Sequence, residues 1–403
     1  MRLSALSTLP RLLFGGLAAL ALTACSGGGF DLGTFGGNAP PTTPDNSINL
    51  PLAEGQTFGT GPVRVALLLP LTGDPALATV GTSMAHGAEL AMDYIASSGA
   101  IADNITLVLK DTGPSVPGAT AATAQAVAEG ASLILGPLKA DQVMAAGATA
   151  RSSGIPMIGF SNNSGAAGPG VFLLNVLPET EVKRSMSYVK KLGKKAYAGI
   201  FSTNDYGRIQ QGAFTQAASE LGLNVRAVYN FSSEDEARGV VAQLAPLLQQ
   251  GQIDALFIPD RATAPSFATL FEQAGVPQGQ IQFIGSADWN ADQNILNSPY
   301  LAGAVFPAVD DAGYNALLPQ YTAKFGGTMH ALATIAYTAT ILANSSSLAL
   351  GTPKYDRAQL TIPGGFKGRD GVFRFLSDGR AEYALVIKQV TIGGSAVAEG
   401  AKL

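Results

Sequence analysis

The sequence predicts an α/β protein made of two doubly wound lobes in tandem. Three observations predict it. Unbroken apolar runs of strand length recur along the chain, segments with a one-sided apolar face lie between them, and the whole alternation starts again after Leu177. Strands separated by helices imply right-handed crossovers and parallel sheets.

The first series opens with "VRVALLL" at 63–69, apolar on both faces as a covered parallel strand requires. A helix at 81–98 follows, its apolar face given by Met84, Ala88, Ala91, Met92 and Ile95. Then come strand "ITLVLKD", a helix near 117–130, strand "SLILG", a helix near 139–152 and strand "IPMIGF". The second series reads as helix 180–192, strand "AYAGIFS", helix 206–221, strand "LNVRAVYNF", helix 235–250, strand "IDALFIP", helix 264–274 and strand "IQFIG". The helix at 330–343 is apolar on nearly every face, which fits either burial between lobes or a dimer interface. The last stretch, "DGVFRFLSDGRAEYALVIKQV", alternates apolar and polar residues around Asp378-Gly379 and predicts a hairpin.

What precedes Val63 has another character. Arg2 and Arg11 lead into the apolar run Leu12 to Leu22, which is too short to span a bilayer and suits an export signal. Residues 26–61 are rich in Gly, Pro, Thr and Asn without a period, and read as a flexible linker able to hold the body on the order of 30 Å from its start. Between the two lies the single cysteine of the chain, Cys25, which rules out an internal disulfide. "LTAC" resembles the lipobox of bacterial lipoproteins, which implies a signal at 1–24, lipidation of Cys25, and a membrane anchor. Ser26 after the cysteine points, by the same resemblance, to the outer membrane.

A net charge of −4, with charged residues at only 13%, offers no electrostatic footprint for nucleic acid. Catalysis is disfavoured as well. His86 and His330 are the only histidines, Gly-x-Ser-x-Gly is missing, and no Gly-x-Gly-x-x-Gly follows the first strand, so neither an enzyme nor a nucleotide cofactor is expected. His86, Glu89 and Asp93 share one helix face; a solvated polar face explains them better than a metal site.

Open parallel sheets collect ligands on the loops at the carboxyl ends of their strands. Those loops carry the candidate contacts: Leu71 and Thr72; Pro137, Leu138 and Lys139; Ser161, Asn162 and Asn163; Tyr206; Asp260; and Asp288. Gly136-Pro137 either turns the chain or presents a helix start to an anionic group. Asp205 is either a helix N-cap or a contact, and the polar run at 161–163 either a turn or a contact.

"VRVALLLPLTGD", "SLILGPLKADQV", "IPMIGFSNNS" and "FSTNDYGRIQQGAFTQAASELG", with the last hairpin, resemble the type I periplasmic binding proteins of the leucine/isoleucine/valine class over about 63–392. That resemblance implies two Rossmann-like lobes joined by three hinge crossings, with lobe one at 62–177 plus 304–350 and lobe two at 178–303 plus 351–403. It implies a small polar, amino-acid-like ligand in the cleft against Tyr206 and Ser161 to Asn163, and an ABC permease as partner. Two positions depart from the pattern. No hydroxyl follows Gly136 where a ligand carboxylate is met, and Ala287 stands where the family has its acid, with Asp288 one position on, either substituting for it or facing water beside Trp289 packed over the hinge. The closing segment also resembles the penicillin-binding-protein activators, which implies a peptidoglycan synthase as the alternative partner.

Overall fold

The computed structural model describes residues 55–403; the export signal, Cys25 and most of the expected linker lie outside the described residues. The first sheet is ordered Thr57–Phe58, Ile105–Asp111, Val63–Leu69, Leu133–Leu135, Met157–Gly159, Val171–Leu173, and all but its first strand run parallel. Val63–Leu69 sits inside this sheet because Val65, Leu67 and Leu69 meet one apolar layer and Ala66 and Leu68 the other. Residues 55–61, expected as linker, instead supply the antiparallel edge strand: Thr57 and Phe58 pair with Val108 and Leu107. Two residues are too few for a periodic signal.

The second sheet runs Gly394–Lys402, Leu385–Thr391, Val305–Ala308, Gln282–Ile284, Ala255–Phe257, Ala196–Ser202, Asn224–Phe231. Its first two strands are antiparallel additions to a parallel set of five. In both lobes the parallel strands follow the order 2-1-3-4-5, so the direction in which strands are added reverses between the first and third strands of each unit, where a crevice opens. The sequence-predicted helices are present with ends shifted by a few residues; the first begins earlier, at Pro75, because Asp74 caps it by accepting from the Leu77 N–H.

Three crossings join the lobes, and two lie elsewhere than expected. The first follows Val171–Leu173 and enters helix Pro178–Lys191. Val305–Ala308, expected in lobe one, pairs on both sides within the second sheet, so the second crossing comes after Ala308. The third was expected at 350. Instead the small sheet Phe366–Gly368, Gly371–Phe375, Ala381–Tyr383 buries Phe373, Phe375 and Tyr383 in the core of lobe one, and the chain re-enters lobe two only with Leu385–Thr391. The predicted hairpin is there, with Phe375 opposite Ala381.

Helix Ala333–Ala343 is buried, but within lobe one and not between lobes: Ile335, Ala336 and Ala339 share a cluster with Met84, Ala88 and Met92. The face of His86, Glu89 and Asp93 is solvated only in part: Asp93 is exposed, Glu89 half-buried and His86 buried. Helix Ala312–Phe325 covers it, with the His86 imidazole stacked on Phe325 at 3.9 Å and Lys324 paired to Glu89 and Asp93. Burial first, then the charge of Lys324, lowers the His86 pKa to about 4, so the ring stays neutral. Among the described residues no group of three His, Cys, Asp or Glu is placed to hold a metal.

Candidate functional site

The strand-end loops come together as the sheet order requires, but many of their polar groups are spent on the chain itself. In lobe one, Asp111 accepts from the Leu71 N–H at 2.8 Å, from the Gly113 N–H at 2.8 Å and from the Thr72 hydroxyl. Burial works to raise this carboxyl, and those hydrogen bonds outweigh it, leaving the pKa below its ordinary value. Pro137 and Leu138 are buried, and the Pro137 carbonyl accepts from the Phe160 N–H. Gly136 must be glycine: its φ is +88° and a Cβ would stand 2.1 Å from the Leu68 carbonyl oxygen. Lys139 reaches Asp141 at 3.7 Å. Ser161 Oγ accepts from the Asn163 N–H, and Asn163 Oδ1 accepts from the Gly165 N–H and caps a short 3-10 turn; Asn162, between them, is half-buried. The turn reading describes Ser161 and Asn163.

Lobe two brings its candidates closer together. Tyr206 is half-buried at the start of helix Asp205–Leu221 and donates to Ser286 Oγ at 3.0 Å, which in turn donates to the Pro259 carbonyl at 2.7 Å. The helix begins this near the strand because residue 207 is glycine; a Cβ there would lie 1.9 Å from the Ser202 carbonyl oxygen. Asn204, not Asp205, is the N-cap, and Asp205 points outward to Arg208. Asp260 takes the Ala262 N–H. Asp288 does not face water: it is 7% exposed, and its Oδ2 has no hydrogen-bond partner among the described residues. Trp289 packs in the core of lobe two beside Phe306, its indole N–H on the Pro259 carbonyl, and not over the hinge.

Asp288 lines a cavity of about 150 Å³ bounded by segments of all three crossings: Asn175 and Val176 from the first, Ala308 and Val309 from the second, Tyr383 from the third. Lobe one closes it with Leu332, Thr334, Ile335 and Asp370. Asp370 Oδ1 accepts from the Thr334 hydroxyl at 2.7 Å, while Asp370 Oδ2 and the Tyr383 hydroxyl have no partner. Three buried polar atoms without partners thus belong to residues lining one cavity, and buried polar groups in folded proteins are nearly always satisfied. Behind Asp288 stands Glu181, buried on helix Pro178–Lys191, accepting from Gln210 Nε2 at 2.8 Å and from the Ala287 N–H at 3.0 Å.

Burial governs the electrostatics here. It raises Glu181 to about 7, against the pull of its two hydrogen bonds and with help from the Glu179 charge. Burial and then the charge of Glu181 raise Asp288 to about 8; burial alone, less the Thr334 hydrogen bond, raises Asp370 to about 6. Tyr206 and Tyr383 are pushed well above the ordinary phenol range by burial and by the neighbouring carboxylates. Sequence reasoning named Asp288 and Tyr206 but missed Glu181, Asp370 and Tyr383. Glu181 looks like an ordinary first-turn acid, and Asp370 like a hairpin turn in "GRDG".

Two α/β lobes, three crossings and a cavity between them are the geometry of a clamp. Residues 62–361 match the family described as periplasmic binding protein. The chain belongs to the periplasmic binding proteins. Membership makes it a solute-binding protein and not an enzyme, and implies a periplasmic location. Solved structures agree in fold. A putative branched-chain amino acid ABC transporter protein from Rhodospirillum rubrum superposes with a TM-score of 0.71 at 19% identity, over 83% of this chain and 99% of that one. A leucine-binding protein from Thermotoga maritima gives 0.55 at 20%, over 84% and 99%. A solute-binding protein from Rhodopseudomonas palustris in complex with 3,4-dihydroxybenzoic acid gives 0.55 at 19%, over 85% and 97%. No curated protein sequence matches the chain.

Proposed function

We propose that this periplasmic binding protein closes its lobes on a small polar solute held in the cavity at the crossings, and delivers it to a membrane permease. The observation that carries the reading is that Asp288, Asp370 and Tyr383, drawn from both lobes, line one cavity and each has a buried side-chain oxygen without a partner. An apolar cavity of roughly 150 Å³ holds one benzene-sized molecule, which sets the scale of the solute. Neighbours in fold that bind leucine or a dihydroxybenzoic acid support a solute of that size.

The lipobox-like "LTAC" supports anchoring through Cys25, with the outer membrane favoured by Ser26. The likeness of the closing segment to penicillin-binding-protein activators is the basis of a second reading, regulation of a peptidoglycan synthase. The first is favoured because that segment supplies core residues Phe373 and Phe375 and the cavity residue Tyr383, not an outer face.

The test is a thermal-shift screen of the full chain with amino acids, aromatic acids and small amines, followed by small-angle scattering. A ligand that binds only the native state raises the melting temperature. A saturable rise together with a smaller radius of gyration is expected; no response to any compound would overturn the reading.

A further inference from the structure

We infer that the solute is a small organic cation without a carboxylate, its positive group held between Asp288 of lobe two and Asp370 of lobe one. This rests on the solute-binding reading above. Both aspartates are at least nine-tenths buried, each has one carboxylate oxygen without a partner, and both line the cavity together with Tyr383, whose hydroxyl is also unpartnered. Every polar group among the lining residues is an acid, a phenol, an amide or a hydroxyl; no Lys, Arg or His lines it. Basic side chains on neighbouring segments are engaged elsewhere: Arg261 with Asp292, Lys388 with Asp311, Arg369 with the Tyr337 ring. Apolar walls from Val176, Val309, Leu332 and Ile335 leave room for a compact hydrocarbon body.

A carboxylate would be refused on two counts. Inside the cavity it would meet Asp370, whose pKa of about 6 leaves it ionised at pH 7, a like-charge contact. On the lobe-one rim, the Leu71 and Gly113 amides that face a strand-end anion are already bonded to Asp111. A cation does the opposite: it supplies the donors that Asp288 Oδ2 and Asp370 Oδ2 lack, and its charge favours the ionised form of both groups. Protons are therefore released on binding. Asp288, raised by burial and by Glu181 and faced also by Tyr206, Asp260 and Arg261, and Asp370, beside Thr334 and Tyr383, lose them as the cation enters.

The experiment compares three molecules with one hydrocarbon skeleton: 3-methylbutylamine, leucine and 4-methylpentanoate. Isothermal calorimetry on the full chain, in two buffers of different ionisation enthalpy, reads affinity and proton count. The amine is expected to bind at least about tenfold tighter than the other two, with net proton release near pH 7 and affinity rising from pH 6 to 8. Asp370→Asn is expected to weaken the amine by at least about thirtyfold. Circular dichroism with Asp288→Asn as a second variant separates loss of binding from loss of folding. Preference for leucine or for the acid overturns the cation assignment and leaves the solute-binding reading standing. Amine binding without proton release, or unaffected by either variant, overturns the placement between the two carboxylates.

Discussion

The rim of the cleft and the cavity at the crossings are both made of strand-end segments, yet they treat polar groups in opposite ways. On the rim, Ser161 and Asn163 accept backbone N–H groups of their own turns and Asp111 those of its own turn and of the neighbouring loop at Leu71, and the loops are finished without a ligand. At the crossings, Asp288, Asp370 and Tyr383 are buried with atoms left unpaired. The contrast teaches that polarity at a strand end does not by itself mark a contact; on the reading proposed above, unsatisfied polarity on residues of the cavity wall does. A rim acid stabilises the fold, and a cavity acid costs stability until something else pairs with it.

The sharpest way to break this comparison is to disturb the rim. Gly136→Ala places a Cβ 2.1 Å from the Leu68 carbonyl oxygen at a φ of +88°. A loss of about 3 kcal/mol or more is expected in urea unfolding, because the obstacle is backbone and cannot swing away. A loss under about 1 kcal/mol would show that the rim turn adapts and is not fixed architecture.

How much of this was legible follows from the range of each signal. Val63–Leu69 is apolar without a break, so its place inside a parallel sheet could be read directly, and Asp378-Gly379 marked its hairpin. Tyr206 and Asp288 were reachable because each follows a strand within a few residues. Asp370 was not: its partner Thr334 lies 36 residues away, and its burial depends on a small sheet that folds back into lobe one. Glu181 was hidden for the same reason, since the groups that occupy it, Gln210 and Ala287, come from two other elements of lobe two. The crossings moved because Val305–Ala308 declares its lobe only by pairing.

A second prediction sets one acid of each kind side by side. Asp111→Asn should cost about 1 kcal/mol at pH 7, since an amide cannot accept all three of the hydrogen bonds the carboxylate takes. Its folded pKa is depressed, so its contribution is present above the ordinary carboxylate range and is lost as pH falls through the folded value. Asp370 has the opposite sign. With folded values raised to about 6 for Asp370, 7 for Glu181 and 8 for Asp288, the native state holds more protons than the unfolded chain between their ordinary range near 4 and those values. Stability of the ligand-free protein therefore falls as pH rises through that window, and Asp370→Asn makes the fall shallower between about pH 4 and 6. Urea midpoints at pH 4, 6 and 8 check both signs. A common sign for the two variants at pH 8 would erase the distinction between rim and cavity.

The smallest effect distinguishes a capping side chain from its exposed neighbour. Asn204 accepts the Gly207 N–H at 2.8 Å and so starts the helix that carries Tyr206, while Asp205 is more than half exposed and meets only Arg208. Asn204→Ala is expected to cost about 1 kcal/mol. Asp205→Ala should stay within about 0.5 kcal/mol, since an exposed ion pair is screened by water and salt. If Asp205→Ala proved the costlier of the two in urea unfolding, the helix would be held from its first residue and Tyr206 positioned by that acid. In that event a rim charge, and not a satisfied cap, would set the geometry of the Tyr206 and Ser286 contact beside the cavity.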